Sequence, residues 1–156
     1  MIHNDVLRSV RYMLNLRDAQ MLEILELAGN SIALETLQQY LMAEEDTGFE
    51  PCPDLVMAQF LDGLIYFRRG KDPTRAPMAP ELPITNNVVL KKLRVAFELK
   101  EHDIVKILTQ AGFPVSAPEL SALFRRRGHP NYRDCGDQYL RNFLKGLSSS
   151  EHTKPK

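Results

Sequence analysis

The chain has 156 residues, of which 44% are hydrophobic and 26% charged, and its 20 Lys/Arg balance its 20 Asp/Glu. That composition fits one globular domain or two very small ones and excludes a disordered or low-complexity chain. With two cysteines outside any Cys-x-x-Cys spacing and no apolar run of about 18 residues, a disulfide scaffold and a membrane-spanning helix are excluded as well.

The N-terminus, Met1-Ile2-His3-Asn4-Asp5, has no basic stretch followed by an apolar one, so no signal peptide is expected. The expected location is the reducing cytoplasm, with both thiols free.

The first predicted helix starts at Asn4, an expected N-cap, and sets Val6, Leu7, Val10 and Leu14 at helical spacing. The second starts near Asp18, carries Met21, Leu22, Ile24, Leu25 and Ala28, and stops at Gly29, which takes a left-handed angle at little cost. The third carries Leu34, Leu37 and Leu41. After a polar loop, residues 52–64 form the fourth. Asp54 is its expected cap, ahead of an apolar face of Leu55, Met57, Phe60, Leu61 and Leu64. A proline-rich linker, residues 71–86, follows the first unit, residues 1–70.

The rest of the chain repeats what came before. Residues 4–65 align with 87–148 without a gap, and 16 of the 62 pairs are identical. Average composition would give about four. The fourth helix is the clearest match: residues 52–64 and 135–147 both read Cys-x-Asp-x5-Phe-Leu-x-Gly-Leu. The echo of the third helix opens with Ser116 as cap and Pro118 in its first turn. Residues 149–156 form a polar tail expected to fray. No stretch alternates with period two, so no sheet is expected.

The predicted fold is therefore all-α: two tandem four-helix repeats, packed with pseudo-two-fold symmetry because a unit of this size buries only a marginal core alone. In the repeated fourth helix the phenylalanines and leucines read as core, and Gly63 and Gly146 as points of close helix approach.

Three stretches, residues 4–12, 85–99 and 135–147, resemble the YehS-like proteins, a bacterial family of unknown function. The resemblance covers nearly the whole chain. It implies a bacterial, cytosolic domain present in two copies, and it carries over no catalytic residue.

The matched polar residues are the candidates for chemistry. Cys52 and Cys135 each precede a helix, where a thiolate is stabilised, but a free cysteine is more often a small buried hydrophobe. His129 lies six residues before Cys135, yet its counterpart near Cys52 is Asp46, so no Cys-His pair is repeated. Asp54 and Asp137 read as helix caps sooner than as a carboxylate pair. Arg11 and Arg94 read as ion-pair partners of those aspartates, with anion binding as the sharper alternative. His3, His102, His129 and His152 are scattered without metal-site spacing, and the glycines are too far apart for a phosphate loop. Neither cofactor nor metal is expected, and the chain does not read as an enzyme.

Charge separates the two halves. Residues 1–80 carry 7 Lys/Arg and 12 Asp/Glu, a net −5, while residues 81–156 carry 13 and 8, a net +5. The basic excess is densest at Arg125, Arg126, Arg127 and Arg133, with Tyr132 interleaved and Lys91 and Lys92 extending it. Such a cluster suits phosphate contacts and base stacking. The equivalents of Arg125, Arg126 and Arg127 in the first repeat are Met42, Ala43 and Glu44, in a loop that runs on through acidic Glu45 and Asp46. Helices two and three loosely resemble a helix-turn-helix, but Pro118, Glu119, Ser121 and Ala122 are a poor base-reading set.

The expected function is that of a non-enzymatic binding or regulatory module with a macromolecular partner. That partner is nucleic acid or an acidic protein surface, held at the basic second repeat. The alternative is self-association as a homo-oligomer, the acidic repeat of one copy meeting the basic repeat of another. An enzyme built on the Cys-x-Asp motifs is the weakest reading.

Overall fold

A computed structural model of the chain describes residues 1–154. Residues 155 and 156, the end of the tail expected to fray, lie outside them. Among the described residues there are eight helices and no strand. The chain divides between Ile84 and Thr85 into two compact units.

The first unit holds α1 (His3–Leu14), α2 (Asp18–Leu27), α3 (Leu34–Leu41) and α4 (Asp54–Arg69). Its core is built from one face of each helix. Val6, Leu7 and Val10 of α1, Met21, Ile24 and Leu25 of α2, Leu37 of α3, and Met57, Phe60, Leu61 and Leu64 of α4 are all buried. Helix α4 packs mainly on α2, while α3 bridges α1 and α2.

The second unit repeats the plan with α5 (Asn86–Ala96), α6 (Glu101–Gln110), α7 (Ala117–Leu123) and α8 (Asp137–Thr153). Val89, Leu90, Leu93, Ile104, Leu108, Leu120, Phe143 and Leu144 are the matching core. Here α8 packs on α6 and α5, and α7 on α6.

The helix ends follow from local chemistry. Gly29 and Gly112 sit at φ +85 and +81. Each donates its N–H two residues before the cap, to Glu26 and Thr109, and the next residue's N–H reaches back to Leu25 or Leu108. This reverse turn satisfies carbonyls that the helix end leaves open. Asn15 and Glu98 end α1 and α5 in the same way at φ 52 and 54, angles that asparagine tolerates and glutamate does not favour. Ser116 caps α7 as expected, accepting from the Glu119 N–H at 3.2 Å.

Gly63 and Gly146 mark where helices meet most closely. A Cβ at Gly63 would lie 1.9 Å from the Ile24 carbonyl oxygen, and one at Gly146 would lie 2.5 Å from that of Ile107. Both contacts are to backbone, so α4 and α8 approach α2 and α6 only because no side chain intervenes.

Three helix starts differ from the sequence reading. Asn4 is not the cap of α1, because the helix begins at His3 and Asn4 is buried inside it. Asp54 and Asp137 are the first residues of α4 and α8, not the caps, which are Pro53 and Gly136. Helix α8 also runs to Thr153, beyond Leu147, the last apolar residue of its repeat.

Candidate functional site

The loop between the third and fourth helices of each unit is where the two repeats share a frame and differ in charge. The frame comes from one buried asparagine. The Asn4 side-chain amide donates to the Tyr40 carbonyl at 2.9 Å and the Glu50 carbonyl at 2.8 Å, and its oxygen accepts from the Cys52 N–H at 3.0 Å. Asn87 does the same in the second unit. It donates to Leu123 at 3.0 Å and Arg133 at 2.9 Å, and accepts from Cys135 at 2.9 Å. One amide thus ties the open end of the third helix to the returning end of the loop that follows it.

The loops themselves close alike. The N–H of Glu50 donates to Gln39 and that of Arg133 to Ala122. Inside, Asp46 bonds back to Ala43 and Phe49 to Asp46, as His129 does to Arg126 and Tyr132 to His129. On this common backbone, residues 42–51 carry Glu44, Glu45, Asp46 and Glu50, while residues 125–134 carry Arg125, Arg126, Arg127 and Arg133 against Asp134.

All four arginines are exposed. Arg125, Tyr132 and Arg133 of the loop line an open groove of about 730 Å³ together with Ala117, Pro118, Glu119, Ser121 and Ala122 of α7. Its volume lies within the range of small-ligand sites. Arg126 and Arg127 belong to the same turn but do not line the groove, and neither do Lys91 and Lys92 of α5. Lys91 occupies the position of Arg8, whose guanidinium in the first unit donates to the Met42 carbonyl, the counterpart of Arg125.

Arg94 supports this loop from behind. Its guanidinium lies 4.6 Å from the centre of the Phe124 ring, next to Arg125, and its Nε donates to the Leu99 carbonyl at 3.2 Å. Arg11 instead pairs with Asp18 at 2.8 Å. The expected ion pairs of Arg11 with Asp54 and of Arg94 with Asp137 are therefore replaced, because each arginine points toward the turn that follows its own helix.

Asp54 and Asp137 reach back to the start of the first helix of their unit. Asp54 meets His3 and accepts the Ile84 N–H at 3.1 Å, while Asp137 accepts from Asn86 at 2.8 Å. The hydrogen bond with His3, opposed by partial burial and aided by the Ile84 N–H, holds the Asp54 carboxyl below its ordinary value. Cys52 and Cys135 are buried and free. Burial first, and the neighbouring Asp54 or Asp137 second, push both thiols up to about 12. Neither is an activated nucleophile. His129 Nδ1 accepts from the Asn131 N–H at 3.0 Å, which orients its ring within the loop. Among the described residues no group of three His, Cys, Asp or Glu side chains is placed to hold a metal ion, and no helix is long and apolar enough to cross a membrane.

Sequence reasoning missed the role of Asn4 and Asn87. The available signal was that each precedes its matched cysteine by 48 residues, in both repeats.

The fold and its paired loops define a duplicated all-α domain in which one asparagine-pinned frame appears twice. The chain belongs to the family described as Protein of unknown function (DUF1456), which it matches over residues 3–70 and again over 86–152. It is 48% identical over 154 residues to the uncharacterized protein YehS of Escherichia coli strain K12, covering 99% of each chain. No solved structure matches it.

Proposed function

We propose that the chain is a non-enzymatic binding module whose second unit holds an anionic macromolecule on the loop of residues 125–134. One observation carries this reading. Four exposed arginines sit on a loop that Asn87 pins at both ends, so the charge is presented on a fixed frame. Fixing the frame lowers the ordering cost of binding. Arg94, stacked on Phe124, adds to that fixity. Both thiols are buried, and among the described residues no group of three His, Cys, Asp or Glu side chains is placed to hold a metal ion, so the binding reading is favoured over catalysis. Two free cysteines suit a reducing compartment such as the cytoplasm.

The test is a titration of a fluorescent mixed-sequence oligonucleotide and of a fluorescent oligoglutamate peptide at low salt. At least one binds, binding weakens as salt rises, and the triple variant Arg125→Ala, Arg126→Ala, Arg127→Ala abolishes it. Failure of both probes to bind, or binding that the triple variant leaves unchanged, rejects the reading.

A second reading draws on the opposite charges of the matched loops. The acidic residues 42–51 of one copy would receive the basic residues 125–134 of another. Light scattering across ionic strength separates the two: a monomer at every salt concentration rejects self-association.

A further inference from the structure

Resting on the anionic-partner reading, we infer that the groove beside α7 takes an unpaired nucleotide of a single-stranded nucleic acid, its base stacked on Tyr132 and its flanking phosphates held by Arg125 and Arg133. These three residues line the groove from the loop that follows α7. An aromatic side chain and two arginines at one groove are the residue types that single strands use. The cations track the backbone, and the ring takes the face of any base.

The α7 side of the groove favours a single strand over a duplex. Ala117, Pro118, Ser121 and Ala122 on α7 are small, which leaves room for a flat base. They offer none of the arginine, asparagine or glutamine forks that read base edges in a major groove. In a duplex both faces of each base are already stacked, so Tyr132 would have nothing to receive. Glu119 also lines the groove and accepts from the Ser116 hydroxyl at 3.0 Å. Its carboxylate repels phosphate from the α7 side and leaves the backbone on the side of the arginines. An acidic peptide would gain the same charge contacts but would make no use of Tyr132.

Tyr132 is held in place by its backbone. Its N–H donates to His129 at 2.9 Å, and the next residue, Arg133, is fixed through both its N–H and its carbonyl. The residue is half-buried, so part of its surface stays open to a ligand.

The experiment is fluorescence anisotropy on the full chain with four labelled probes of equal length: a mixed-sequence single strand, its duplex, an abasic single strand that keeps the phosphates, and an oligoglutamate peptide. The single strand should bind at least about ten-fold more tightly than the abasic strand, in line with the loss of one base stack. It should also exceed the duplex and the peptide. If all four arginines contact phosphate, affinity falls about 50-fold between 50 and 200 mM salt. Tyr132→Leu should bring the single strand down to the abasic level, and Tyr132→Phe should restore it. Equal binding of the abasic and normal strands overturns the inference, and needs no variant to show it. Duplex or peptide binding as tight as the single strand also overturns it, yet leaves the broader anionic-partner reading standing. Absence of binding by every probe removes both.

Discussion

Replacing Asn87 with alanine removes three hydrogen bonds from a site that is 9% exposed. The partners stay behind as backbone groups: the Leu123 carbonyl and Cys135 N–H are buried, and the Arg133 carbonyl is partly so. Leaving a buried backbone group unpaired costs about 1–3 kcal/mol, and the third group recovers water. The expected loss is about 2–6 kcal/mol, a large part of the stability of a small unit. Asn87→Asp keeps the shape and the acceptor but loses both donors, and it sets a carboxylate oxygen against two carbonyl oxygens. At neutral pH it should be no better than alanine. Urea unfolding of the wild type, both variants and the matched Asn4→Ala measures this. Limited trypsin digestion gives an independent readout, because a released loop exposes the bonds after Arg125, Arg126 and Arg127 sooner. A loss below about 1 kcal/mol, or an Asn87→Asp variant as stable as the wild type, would refute the account of the frame.

Other consequences follow from the same geometry. Gly63→Ala drives a Cβ into the Ile24 carbonyl and Gly146→Ala one into that of Ile107. Each should cost at least about 1–3 kcal/mol as the helices are forced apart, with Gly63 the worse, and equal stability of both variants with the wild type would contradict the close approach. Cys52 and Cys135, with thiols up to about 12, should resist a disulfide reagent at pH 8 in the folded chain and react promptly in denaturant; fast native labelling would show them exposed. The Asp54 carboxyl is depressed when folded, so its stabilising contribution is present above about pH 4, the unfolded value, and is lost as pH falls through the lower folded one. The stability gap between wild type and Asp54→Asn should therefore narrow from pH 6 to pH 2.5, as urea midpoints at the two pH values would show; a constant gap means the charge of Asp54 contributes nothing.

Much of the fold was legible in the sequence because core positions and special backbone angles restrict residue type. The ungapped repeat, the stop at Gly29, the Ser116 cap and the close-approach glycines were all visible. The polar residues were not, because their partners depend on how turns aim them. Asn4 looked like a cap since asparagine is a good one, but the helix begins a residue earlier and turns the amide inward to residues 36 to 48 positions away. Asp54 and Asp137 sit one residue too late to cap their helices, so their carboxylates meet His3 and Asn86 instead. Of the candidate basic site, the Arg125–Arg133 cluster was visible as composition. That Arg125, Tyr132 and Arg133 share a groove, while Lys91 and Lys92 do not line it, required the path of the loop across α7.

The matched loops make the most direct test of whether the basic loop is the binding element. Residues 42–51 and 125–134 have the same length and share three matched backbone hydrogen bonds, so either can be exchanged for the other with the bonds to Asn4 and Asn87 kept. Titration of a fluorescent single-stranded oligonucleotide at low salt into two exchanged chains compares them with the wild type. A chain carrying the acidic loop in both units should fold and fail to bind, and a chain carrying the basic loop in both should bind at two sites. A folded doubly acidic chain that binds as the wild type does would contradict the account.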